Sequence, residues 1–229
     1  MTLLQNIIAS KYHYQPSWLL VVLVLGIMIL GYLFSAFNSR FNIFIKAVFL
    51  SRYSVQASRE ERSLTHPVSL LLSLNFLLIT SLFVLQIICS DVFFHSEIDF
   101  SLLSFLFISL AILGIYFIKI IFLKIFSFII DKEEAVSEYV FTIFLVNQFF
   151  GILLLPVVIF IAYGPQSLTH GIIYSGIVLV FAAFIVRVGK GISTVLLNRE
   201  ATLFYLILYL CTLEILPLLI GIKLFERLS

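Results

Sequence analysis

The chain has 229 residues, of which 62% are hydrophobic and 11% charged. A soluble domain carries roughly 25% charged residues, so a globule in water is excluded and a polytopic membrane protein is the class that fits. The formal charge of +2 gives no ground for a nucleic-acid partner, and membrane lipids are the expected surroundings.

Residues 1–17 lack a basic leader, and the apolar run after them is too long for the core of a cleavable signal. Leu3, Leu4, Ile7 and Ile8 suit one face of a short interfacial helix ahead of Pro16-Ser17-Trp18. Trp18 and Tyr14 fall where an aromatic belt meets the membrane edge. Six runs are then long enough to span: Trp18–Phe37, Pro67–Cys89, Ser101–Lys119, Tyr139–Ala162, Gly171–Val188 and Ala201–Ile222. A span needs about 20 residues at 1.5 Å rise. Only helices satisfy the backbone of a single segment in lipid. The prediction is therefore all-α: one integral membrane domain over residues 1–229, with six transmembrane helices plus short interfacial amphipathic helices.

Between the spans, residues 40–62 place Phe41, Phe44, Val48 and Val55 on one arc and Asn42, Lys46 and Tyr53 on another. That pattern suits a helix lying at the inner leaflet. Residues 119–139 either extend the third helix past the membrane or bend it along the surface, with Lys119 and Lys124 snorkelling to the interface. Strict alternation of the spans puts 11 of the 14 Lys and Arg residues on one side, and the positive-inside rule makes that side cytoplasmic, with both termini outside.

Polar groups within the runs are few. Asn75 and Gln86 are eleven residues apart and share a helix face. Ser69 and Ser73 form a small-xxx-small pair that lets backbones approach. Asn147, Gln148 and Gly151 cluster in the fourth run. Glu214 in the sixth is the sharpest feature: a carboxyl slightly outward of the midplane, costing about 2–4 kcal/mol to insert. Its helical neighbours are Cys211, Pro217 and Gly221. Pro217 cannot donate to the carbonyl of Leu213, which frees an acceptor beside the carboxyl. One reading is a proton or cation relay, or a hook for a polar headgroup; the other is a protonated Glu214 locked to Asn147 or Gln148.

Near the inner end of the fifth run, "RVGKGIS" lacks the order of a P-loop. Gly189 and Gly191 are expected to loosen the helix end there, while Arg187, Lys190 and Arg199 meet lipid phosphates. Asp91, His95, Glu97 and Asp99 read as a solvated outer loop rather than a metal site, and no cofactor is implied. Cys89 and Cys211 read as reduced packing residues. No Ser/His/Asp, HExxH or aspartate-rich arrangement supports an enzyme.

The run "YLCTLEILP", Tyr209–Pro217, followed by Lys223, resembles the closing signature of domain-of-unknown-function family 4271. "NQFFGILLLP", Asn147–Pro156, is similar to that family's fourth-helix pattern. The resemblance implies a multi-pass protein of a Gram-negative inner membrane and implies no activity. Three functions are expected in order: an accessory or structural subunit with a protein partner in the membrane, a small ion-coupled transporter using Glu214, and a lipid-headgroup-binding or lipid-modifying protein. The topology is testable: tags at both termini should react from the outside of right-side-out vesicles, and protection of both tags refutes the orientation.

Overall fold

In the computed structural model, residues 16–36, 67–90, 99–130 and 133–197 are described. They form five α-helices: α1 Ser17–Ala36, α2 Pro67–Cys89, α3 Leu102–Ile130, α4 Glu133–Tyr163 and α5 Gln166–Leu197. All five are long and apolar enough to cross a membrane. The chain is an all-helical, multi-pass membrane protein. The expected interfacial helices at 3–8 and 40–62 and the sixth run, Ala201–Ile222, lie outside the described residues.

Three helices outrun their expected spans: α4 starts at Glu133, six residues ahead of the expected Tyr139, and α3 and α5 run on at their C-terminal ends. α3 continues beyond Lys119 to Ile130, because residues 115–130 contain neither Gly nor Pro to stop it. α5 passes through Gly189 and Gly191 to Leu197, so these glycines do not end the helix. An interior glycine costs only about 1 kcal/mol of helix propensity, and one more turn of backbone hydrogen bonds offsets it.

Where α4 ends, the chain turns on Gly164 and Pro165. The Gly164 N–H donates to the Phe160 carbonyl at 2.8 Å, and a Cβ on Gly164 would stand 2.3 Å from that same oxygen. Only glycine closes the turn this tightly. Pro165 follows, with its carbonyl accepting from the Leu168 N–H at 3.0 Å, so α5 starts at once and runs antiparallel to α4.

The bundle is organised around α2 and α4, which make its most extensive helix contact and run parallel. α1 packs on α2, α3 on both α2 and α4, and α5 on α4. Leu19 and Leu23 of α1, Ile79, Leu82, Phe83 and Leu85 of α2, Phe105 of α3, and Leu154, Leu155 and Val158 of α4 form the main core. Leu33, Val68 and Leu72 form a smaller cluster at the other end. Trp18 stacks on Phe100 at 5.4 Å and lies 5.6 Å from Phe105, tying the start of α1 to the start of α3. Cys89 packs against the main core.

Glycine sets the closest approach. A Cβ on Gly151 of α4 would lie 2.9 Å from the Phe76 Cα of α2, a backbone atom that no rotamer change can move. Gly176 of α5 seats the Phe83 ring, 2.5 Å from where its Cβ would be. Gly31 and Gly114 face open space. Gly151→Ala should therefore destabilise the bundle by about 1–3 kcal/mol through overpacking, while Gly31→Ala leaves it unchanged or slightly stabilised. Detergent melting curves of the two variants check this, and equal behaviour refutes the packing argument.

Candidate functional site

Ser69, Ser73, Asn147, Gln148 and Arg187 converge on one end of the bundle, that of the α2 N-terminus and the α5 C-terminus. Gln148 of α4 points across the α2 contact. Its Nε2 lies 2.9 Å from the Ser69 carbonyl, 3.1 Å from Ser69 Oγ and 2.7 Å from Ser73 Oγ. Ser69 and Gln148 are buried. The small-xxx-small pair thus has two uses: it admits the neighbouring backbone, and its hydroxyls accept the amide that arrives with it.

One residue earlier, Asn147 faces the other way, between α3 and α5. Its Nδ2 donates to Tyr116 Oη at 2.9 Å. Its Oδ1 accepts from Arg187 Nη2. Tyr116 in turn meets Phe76 edge-on at 5.8 Å. Adjacent residues on a helix point about 100° apart, so Asn147 and Gln148 serve different interfaces: the first joins α3, α4 and α5, the second joins α2 and α4. Arg187 and Lys190 are half-buried, and Arg187 aims its guanidinium into the bundle.

Farther along the bundle, Gln86 Nε2 donates to the Val158 carbonyl at 3.2 Å. Asn75 is fully buried, and both atoms of its amide are without a hydrogen-bond partner among the described residues. Its Oδ1 would stand 3.1 Å from a Cβ on Gly26, so the amide oxygen is pressed toward the α1 backbone. That approach is open to a weak Cα–H···O contact. Thr80 Oγ1 and Ser109 Oγ are also buried without partners among the described residues.

The sequence singles out Asn75, Gln86, Asn147, Gln148, Arg187 and Lys190 as candidates, and all fall in the described helices. The structure brings Asn147 and Arg187 together and keeps Gln148 apart from both. Glu214, Cys211, Pro217 and Arg199 lie outside the described residues. Tyr116 is absent from the expected set; its ring suits an apolar run, and its hydroxyl gains a role from Asn147 opposite. No cluster of His, Cys, Asp or Glu able to hold a metal occurs among the described residues.

The arrangement belongs to a known family. The model of the Domain of unknown function (DUF4271) matches residues 19–225, nearly the whole chain, and the protein is a member of that family. No curated protein and no solved structure matches it.

Hydrogen bonds between membrane helices contribute about 0.6 kcal/mol on average and up to about 1.7. Gln148, with three acceptors in reach, belongs at the upper end. Gln148→Leu should lower stability by about 1–2 kcal/mol, and a double-mutant cycle with Ser73→Ala should show positive coupling. Additivity of the two losses refutes the clamp.

Proposed function

We propose that this protein is an accessory or structural subunit of a larger assembly in a bacterial inner membrane, held in lipid and in contact with a protein partner. The observation that carries this reading is α3. Only 6% of its apolar window, Leu102–Phe122, is buried within the chain. Leu103, Phe107, Leu110 and Phe117 are all more than half exposed. Lipid alone is a sufficient solvent for such a face, but a span that contributes so little to its own bundle is well suited to carry contacts outward. The interior supports the same reading, because three of the four buried amides among the described residues join helices: Gln148 on Ser69 and Ser73, Gln86 on Val158 and Asn147 on Tyr116.

The second reading is a small ion-coupled carrier working through Glu214. It draws on the run of polar groups from Tyr116 through Asn147 to Arg187. A third, a lipid-phosphate contact at Arg187, Lys190 and Arg199, draws on the basic inner end of α5. Affinity purification in mild detergent separates them. The expected result is a stoichiometric membrane protein that is lost on Leu110→Gln, with proteoliposomes of the purified chain passing no protons. A lone species, or proton flux abolished by Glu214→Gln, overturns the subunit reading.

A further inference from the structure

α1 covers the Asn75 amide. That amide is fully buried, neither of its polar atoms has a hydrogen-bond partner among the described residues, and its oxygen stands against Gly26 of α1. Residues 22–30 of α1 read "VLVLGIMIL", so no polar side chain lies within a turn of Gly26. At this level α1 offers the amide only a Cα–H. A buried amide without partners raises the free energy of the closed arrangement and favours one in which it meets both a donor and an acceptor. Water supplies both.

The packing of α1 shows how such an arrangement is reached. Of its apolar window 28% is buried within the chain, against 50% for those of α2 and α4. At one end the hold is broad: Trp18 stacks on Phe100 and lies beside Phe105, while Leu19 and Leu23 enter the main core. At the other end Leu33 closes a smaller cluster with Val68 and Leu72. Leu72 lies one turn before Asn75 on α2. The smaller cluster is therefore a plug between the amide and the end of the bundle where Ser69, Ser73 and Gln148 gather. Residues 37–66 separate α1 from α2, so no tight turn clamps the two helices there as Gly164-Pro165 clamps α4 to α5.

We propose that α1 is a hinged strap, pivoting at Trp18 and lifting at Leu33, and that its motion opens Asn75 to water. In the closed position Gly26 lies on the amide. In the open position the plug parts, and water reaches both amide atoms from the Ser69–Ser73 end. The unequal hold at the two ends of α1 gives the motion its direction, and the amide lowers the cost of making it. The strap goes beyond the subunit reading and needs this chain alone.

Thiol labelling of the purified full chain in proteoliposomes tests it, with Cys89 and Cys211 first replaced by serine. N-ethylmaleimide reacts with a thiolate, and a thiolate forms where water reaches the sulfur. The reporter is Ile79→Cys, at a fully buried position beside Gly26 and one turn from Asn75. The reference is Ile173→Cys, at an equally buried position on α5. Labelling of each is followed by mass spectrometry. Leu33→Ala, which empties the plug, should speed labelling at Ile79→Cys by about tenfold or more. Asn75→Leu, which removes the amide, should slow it by about tenfold or more. Ile173→Cys should keep its rate in both. An equal change at the two reporters, or no change with Asn75→Leu, overturns the strap. In a second measurement Leu33→Cys with Leu72→Cys is oxidised to pin α1 on α2. Labelling at Ile79→Cys should stop in the pinned chain and return on reduction. Labelling that continues while the disulfide is intact overturns the proposal, even where Asn75→Leu fails to fold.

Discussion

The close parallel contact between α2 and α4 is the constraint on which the bundle depends. Apolar side chains gain little by leaving lipid for one another, so membrane helices associate through packing and interhelical hydrogen bonds. Here the two act on the same stretch. Gly151 lets the α4 backbone close on Phe76, and Gln148, one turn away, then finds Ser69 and Ser73 within reach. A larger residue at Gly151 would separate the backbones and leave that amide without its acceptors. The other helices add to this pair: α1 through Gly26 beside Asn75, α5 through Gly176 beneath Phe83, and α3 through Tyr116 against Phe76.

The polar groups show a division of labour that follows from helical geometry. Neighbouring residues Asn147 and Gln148 look into different interfaces, so a two-residue polar step in an apolar run joins four helices. Asn75 stands apart from this economy. It is fully buried with its amide unmatched among the described residues, a costly arrangement in a low-dielectric interior. Its oxygen stands against Gly26 of α1.

Much of the fold could be read in the sequence, because span length and the demand for internal backbone pairing leave few alternatives. Five of the six expected spans coincide with helices, and the shared burial of Asn75 and Gln86 follows from their spacing. Helix ends were less legible. The continuation of α3 to Ile130 is one of the two readings that residues 119–139 allowed, whereas beyond the apolar window of α5 hydropathy stops reporting while the helix continues to Leu197. Contacts were the least legible. Asn147 and Gln148 look equivalent in sequence, and both were expected as partners for Glu214. Their separation depends on a rotation of about 100° and on which helices flank α4, and neither is written in the local sequence. Tyr116 was missed for the same reason.

The α2–α4 clamp also bears on how the protein comes to exist. Parallel neighbours cannot be joined by a tight turn, so α3 must cross the membrane between them in chain order. During synthesis, Ser69 and Ser73 enter the bilayer before Gln148 has been made. Until α4 arrives, the hydroxyls of α2 must turn back on their own helix or find water at the interface. The core therefore closes late, on the fourth crossing, and a nascent chain stalled before Gln148 lacks the most extensive helix contact of the bundle. Such a chain would be exposed to membrane proteases for the interval between the third crossing and the fourth.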